Sequence, residues 1–261
     1  MKPPSMSAPG SQPVGSPVVL VPSLKGRVRR AQRTVLFGPA GVGKSTLASL
    51  SKDPLFLDTD RESDDLDVTR HTVLNWNELR AYAQRPGEYG TLVIDNISKA
   101  EIYCVAETIN SVPVEAKGSS TKATSIESYG WGKGYRHTYD MWLLLLADLD
   151  RVTEAGHDVI LIAHEITESV PNPGGEDFIR YEPRLQRQKA GSIQSRTIEW
   201  ADHVLYLGYD VVAKDGKARG NGSRTIYPQA RPTWIAKSRK LKDPIPWNNP
   251  TDDTLWKALA Q

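Results

Sequence analysis

Five short apolar runs punctuate the chain, each the length of a buried strand: Thr34–Phe37, Leu55–Asp58, Thr91–Ile94, Val159–Ala163 and Val204–Leu207. Their apolar character is continuous rather than alternating, as in strands covered on both faces of a parallel sheet. Between them the period lengthens. Asn75 and Glu78 have the spacing of a capping box, opening a helix to about Gln84 that Pro86-Gly87 stops. Tyr135, Tyr139, Trp142, Leu143, Leu146 and Leu149 fall on one side of a helix expected from about 135 to 155, a stripe that reads as core. Shorter helices are expected over 192–200 and 252–259, and Thr225–Tyr227 and Thr233–Ala236 are expected to pair across Pro228 to Pro232. The βαβ alternation predicts one α/β domain, a mostly parallel central sheet flanked by helices, with a C-terminal β extension. Its core is placed at 25–245, with a terminal tail or helix at 246–261. Residues 1–24 are rich in Pro, Ser and Gly, bury too little to offset ordering, and are expected to be disordered.

The chain has 261 residues, 39% hydrophobic and 25% charged, ordinary values for a soluble globular protein. No apolar run approaches the ~20 residues that cross a bilayer, so no membrane partner is expected. Val18–Val21 is boxed in by Pro17 and Pro22 and does not read as a signal-peptide core. The single cysteine, Cys104, excludes an intramolecular disulfide and fits a reducing cytoplasm. A net charge of +2 marks no nucleic-acid binder by itself, but the charge is unevenly spread. Residues 1–33 and 231–242 carry cations without an acid, whereas 58–67 hold six acids and one Arg61.

The most specific chemistry lies directly after the first strand. Gly38-Pro39-Ala40-Gly41-Val42-Gly43-Lys44-Ser45 spells G-x-x-x-x-G-K-S, and Thr46 continues it into a helix-forming run. Such a loop turns backbone N–H groups onto phosphates at a helix N-terminus. Lys44 is expected on the β- and γ-phosphates and Ser45 on Mg²⁺, so ATP and Mg²⁺ are the implied cofactors. Asp95, about fifty residues on at the end of an apolar strand, is the expected second organiser of the metal. Asp60, then Glu62, are candidates to orient the attacking water, and His164 to sense the γ-phosphate.

Together these residues resemble the RecA-like P-loop NTPase core. Within it, the chain looks most like the phage-encoded ATP-binding proteins of DNA recombination and single-strand annealing. The likeness covers about residues 30–245. That family's second strand ends Asp-Thr-Glu; Asp58-Thr59-Asp60 carries a shorter acid, which implies slow hydrolysis unless Glu62 takes over. Asp95-Asn96 and His164 match the family's strand-end and sensor positions. The resemblance implies rings or filaments in which Lys237 and Arg239, a K-x-R pair, reach a neighbour's ATP. It also implies two flexible DNA-gripping loops, poorly ordered without DNA. Pro113–Gly134 would offer Lys117, Lys122 and Lys133, with Trp131; Glu165–Gly191 would offer Arg180, Tyr181, Arg184, Arg187 and Lys189.

The implied activity is an ATP-dependent single-stranded-DNA-binding protein that anneals or recombines DNA as an oligomer with slow ATP hydrolysis. A single-strand-binding protein is an implied partner, and the cytoplasm of a phage-infected bacterium the implied setting. Two other readings remain open. One is a small-molecule P-loop kinase with Arg180, Arg184 and Arg187 as lid. The other is a nucleotide-sensing scaffold that loads a replication protein. A strand-separating helicase is not expected, because the chain has little room for a second motor domain.

Overall fold

The central strand β1 (Arg33–Gly38) is covered on both faces, and five of its six residues are buried. The structure, a computed structural model, describes residues 25–26, 30–85, 87–116, 119–189, 191–214 and 217–260. The expected tail at 1–24 and the candidate Lys117 lie outside the described residues.

After β1 come α1 (Lys44–Ser49), β2 (Pro54–Asp58), β3 (Thr69–Thr72), α2 (Trp76–Ala83), β4 (Thr91–Asp95) and α3 (Ile97–Ser111). A small hairpin follows, β5 (Val114–Ala116) and β6 (Ser119–Thr121), then a 3₁₀ turn at Ile126–Tyr129 and α4 (Lys133–Glu154). The chain continues through β7 (Asp158–Val170), β8 (Phe178–Pro183) and α5 (Ile193–Trp200). It ends with β9 (His203–Lys214), β10 (Lys217–Tyr227), β11 (Ile245–Pro246) and α6 (Thr254–Ala260). The sheet runs β11-β10-β9-β1-β7-β4-β2-β3, with β8 attached to β7. From β9 to β3 all neighbours are parallel, while β8, β10 and β11 are antiparallel additions.

Helices α2 to α5 cover one face around Trp76, Trp142 and Leu149; α1 and α6 cover the other around Leu47, Trp247 and Leu255. The α4 stripe is core, as its spacing predicts, with Trp142 donating to Thr197 Oγ1 at 2.9 Å. One polar exception ties α2 to α4. Asp148, 1% exposed, accepts from Arg80 Nε at 2.7 Å and Gln84 Nε2 at 3.1 Å. A buried carboxylate needs such partners, because desolvation is otherwise uncompensated. No helix among the described residues is long and apolar enough to cross a membrane.

The structure departs from the sequence expectations in three places. Thr233–Ala236 is not a strand beside Thr225–Tyr227; β10 pairs with β9 and β11 instead. Pro232 has no N–H to give a ladder, and Trp234 packs its ring 5.5 Å from Tyr206. Asn75 caps α2, accepting from Glu78 N at 2.9 Å, but Glu78 reaches Leu74 N rather than completing a box with Asn75. The two segments expected as disordered loops carry regular structure: Val114–Ala116 and Ser119–Thr121 pair as β5 and β6, and β7 runs on to Val170 to pair with β8. The helix expected over 252–259 is present as α6, which buries Leu255 and Leu259 to 1% and 4% exposure.

Candidate nucleotide site

The parallel strands deliver their C-terminal ends to one edge, where β1, β2, β4 and β7 each present chemistry. β1 ends at Gly38, where a Cβ would fall 2.0 Å from Leu207 O, so only glycine lets the loop leave between β1 and β9. Gly43 precedes α1 at φ 102°, and a Cβ there would meet Arg224 Nη1 and Trp247 at 2.8 Å. The loop is held from outside as well. Tyr209 donates its hydroxyl to Gly41 O at 3.1 Å, and Arg224 Nη1 donates to Val42 O at 3.0 Å while stacking over Trp247. These holding residues lie far down the chain on β9 and β10, and no spacing in the sequence announces them.

Lys44 is 7% exposed and folds back to donate to Gly38 O at 3.0 Å and Pro39 O at 2.9 Å. Burial lowers its pKa, opposed by the negative charges of Asp95, Glu62 and Glu165. Asp95 ends β4 fully buried, and among the described residues neither carboxylate oxygen has a hydrogen-bond partner of regular geometry. Burial pushes its carboxyl up to about 7, partly offset by the Ser45 hydroxyl beside it and by Lys44. Orphaned buried oxygens next to a hydroxyl are the donor set a hard divalent cation needs. Ser45 and Asp95 fit Mg²⁺, which when bound would neutralise phosphate charge.

Asp58, the end of β2, organises the turn that follows rather than facing a ligand. Its Oδ1 accepts from Asp60 N at 3.1 Å and Arg61 N at 2.6 Å, and its Oδ2 from Ser63 N at 3.0 Å. That turn presents Asp60 and Glu62. Asp60 Oδ2 accepts from Asn96 Nδ2 at 2.8 Å, and the same nitrogen lies 3.1 Å from His164 Nε2. Glu62 Oε1 stands 4.0 Å from His164 Nε2. Burial, then Lys44, lowers the His164 pKa, favouring the neutral ring. The structure thus gathers Lys44, Ser45, Asp60, Glu62, Asp95 and His164 at one edge. Asn96, named with Asp95 at the strand end, joins them, and Ser98 and Lys99 do so unforeseen: Lys99 Nζ lies 3.8 Å from Asp60, and Ser98 Oγ bridges His164 N and Arg184 O. All three sit on α3 or its cap, a helix whose weak apolar stripe did not stand out.

Residues 30–240 match the AAA_24 family, an AAA domain. The chain belongs to the AAA_24 family. Its fold is α/β with a mostly parallel central sheet flanked by helices, and its general chemistry is that of a P-loop ATPase. No curated protein matches it. A KaiC-like protein from Pyrococcus horikoshii OT3 is similar over 85% of this chain and 88% of its own, at 15% identity and TM-score 0.45. The RadB recombinase is similar over 76% and 80%, at 15% identity and TM-score 0.40. Flagellar accessory protein FlaH from Methanocaldococcus jannaschii is similar over 76% and 77%, at 9% identity and TM-score 0.39.

Other candidates of this AAA_24 chain lie away from the loop. Lys237 exchanges backbone hydrogen bonds with Val204 at the start of β9, and Val204 pairs with Val35. Lys237 and Arg239 therefore border the opposite edge of the sheet from Lys44. On the β7–β8 hairpin, Arg180 Nε donates to Glu182 at 2.7 Å, and Arg187 Nη1 lies 3.2 Å from Glu182 and 3.3 Å from Glu168. Glu182 is 1% exposed, so these two arginines neutralise a buried acid rather than stand free. Tyr181 is half-buried, with one ring face stacked on Tyr206 at 5.7 Å. Arg184, Lys122, Lys133 and Lys189 are exposed and make no ion pair among the described residues. Beside Lys133 stands Trp131, wholly exposed, at φ 51° between Gly130 at 65° and Gly132 at 72°.

Proposed function

We propose that this AAA_24 protein is an ATP-dependent single-stranded-DNA-binding protein that promotes annealing or recombination as an oligomer, with slow ATP hydrolysis. The observation that carries the DNA reading is Trp131. Trp131 sits at φ 51°, a left-handed backbone that is costly for a residue other than glycine, and an indole left fully in water gains nothing from folding. Such a ring close in the chain to Lys133, in a segment that also carries the exposed Lys122, suits an unpaired base stacked next to phosphates. Arg184 and Lys189 extend the cationic surface from the β7–β8 side. Slow hydrolysis is supported by Asp60, whose carboxylate is engaged by Asn96 and Lys99 rather than free. The oligomer is supported by Lys237 and Arg239, which are on the wrong edge to serve their own chain's nucleotide but suited to a neighbour's. A kinase lid gains no support, because Arg180 and Arg187 are spent on Glu182.

The test is ATP turnover with and without oligo-dT across a protein dilution series. Turnover that rises with oligo-dT, and more than proportionally with protein concentration, supports the reading. Turnover indifferent to both, or phosphate transfer to a nucleoside acceptor by a monomer, overturns it.

A further inference from the structure

At the edge of the sheet opposite the P-loop, the first residues of β1, β4 and β7 meet the loop after α1 and the face of α6. They enclose a cavity of about 130 Å³. Two hydroxyls that line it are unpaired among the described residues. Ser51 is 8% exposed and Thr91 1%, and neither Oγ has a hydrogen-bond partner there. A buried hydroxyl left unpaired costs stability, so two at one cavity mark space kept for a polar occupant.

The charge around them gives that occupant a sign. Arg30, Lys52 and Lys240 stand on the wall, against one acid, Asp158. Asp158 already accepts from Gln32 N at 2.7 Å, and Arg30 leans to Asp202 at 3.2 Å. Lys240 Nζ donates to Leu259 O at 2.5 Å with protons to spare, and Lys52 makes no ion pair among the described residues. Ile160 and Trp256 close the apolar side, which limits hydration and strengthens electrostatics within. A nucleotide is too large for the volume; a phosphate or a short carboxylate fits, since ~150 Å³ holds a benzene-sized molecule.

We infer that this cavity is a second anion site, taking a small oxyanion held by Lys52, Lys240 and the Ser51 and Thr91 hydroxyls. It abuts the far end of the helix whose first turn carries Lys44 and Ser45. Ser51 N donates to Ala48 O at 3.1 Å, closing α1, and Trp256 Nε1 donates to Leu47 O at 2.7 Å. An occupant therefore touches both braces of α1 and acts on the nucleotide site from behind.

The experiment is calorimetric titration of the full chain with inorganic phosphate, and separately acetate, at constant ionic strength, with the P-loop first saturated by a non-hydrolysable ATP analogue and Mg²⁺. One anion is expected to bind saturably, with at least tenfold weaker binding in Lys52→Met and in Thr91→Val. Lys52 is exposed and bonds to nothing that folding needs, so its variant keeps the test valid should Thr91→Val not fold. Saturation by phosphate alone, or by acetate, assigns the oxyanion class. No saturable binding of either overturns the site, and so does equal affinity in Lys52→Met. Thr91→Val raising the melting temperature by the same amount with and without anion means the cavity holds water only.

Discussion

One side-chain amide joins an acid and a histidine of the candidate nucleotide site: Asn96 Nδ2 lies 2.8 Å from Asp60 Oδ2 and 3.1 Å from His164 Nε2. An NH₂ has two hydrogens, one for each, so His164 Nε2 is the acceptor and its ring is neutral. The lowered His164 pKa agrees. Asn96 also caps α3, its Oδ1 accepting from Lys99 N at 2.9 Å. Asn96→Asp keeps the cap but sets an oxygen against Asp60. Its melting temperature is expected to fall, because a second carboxylate is then buried against Asp60, and turnover to fall about 10- to 100-fold. Steady-state kinetics beside a thermal melt checks this; unchanged turnover would leave Asn96 a cap alone.

Gly43 tests the outer hold on the loop. Its φ of 102° disfavours any side chain, and a Cβ meets Arg224 and Trp247 at 2.8 Å. Gly43→Ala is therefore expected to push the Arg224 guanidinium off Val42 O and to weaken ATP binding at least tenfold, read by fluorescent-nucleotide titration. Gly41 has nothing within 4 Å of a Cβ. Gly41→Ala should consequently cost less, because only its φ of 74° is strained.

What the sequence discloses follows from how local the physics is. Strands buried on both faces, such as Val159–Ala163, show as unbroken apolar runs, and Asn75 and Ser192 announce the helices they cap. β7 beyond Ala163 leaves the core and becomes a ribbon of mixed polarity, Glu165 to Val170, so its continuation reads as loop. α3 escaped because Ala100, Cys104 and Thr108 bury small side chains, which leave a faint stripe. At the site, the phosphate loop and Asp95 are read from contiguous motifs. Arg224 and Tyr209 are not, since their contacts to Val42 and Gly41 span 182 and 168 residues. Nor does sequence tell a free arginine from a committed one: Arg180 and Arg187 differ from Arg184 only through Glu182.

Arg239 is expected to act in trans. Arg239→Ala should lower turnover while leaving ATP affinity unchanged, because the residue is remote from its own Lys44. A one-to-one mixture with Lys44→Ala pairs an intact loop with an intact cation at about a quarter of head-to-tail interfaces. Turnover near that fraction is expected from the mixture, against almost none from either variant alone. A mixture as inactive as its parts would count against a shared site.

His203 gives the fold an acid limit. It is 1% exposed between Ser238 Oγ at 2.8 Å and Gln32 Oε1 at 3.0 Å. Burial pushes its pKa from 6.5 to about 4, with Lys240 and Lys237 adding and Asp202 opposing. The unfolded chain takes up this proton near 6.5, the folded chain only near 4, so the stability is present above 6.5 and lost as pH falls through that window. The loss is about 3 kcal/mol at one pKa unit per ~1.4 kcal/mol. Urea midpoints at pH 7.5 and 4.5 are expected to differ less in His203→Gln than in the parent. An equal difference in both would assign the acid sensitivity to carboxylates instead.

Trp131 and the cations around it separate by salt. Stacking on one base is worth ~1–3 kcal/mol, so Trp131→Ala is expected to weaken oligo-dT binding about 5- to 150-fold. Because the indole carries no charge, the slope of log affinity against log salt should not change. Lys122→Ala with Lys133→Ala should do the reverse, flattening that slope by removing phosphate contacts. Arg187→Ala is the contrasting case. It strips a partner from Glu182, an acid 1% exposed, and so should lower stability while leaving the salt slope where it was. Fluorescence anisotropy from low to high salt, with a thermal melt for each variant, reads all three. If Arg187→Ala flattened the slope and Trp131→Ala left affinity untouched, the DNA face would lie on the β7–β8 hairpin and not on the turn before α4.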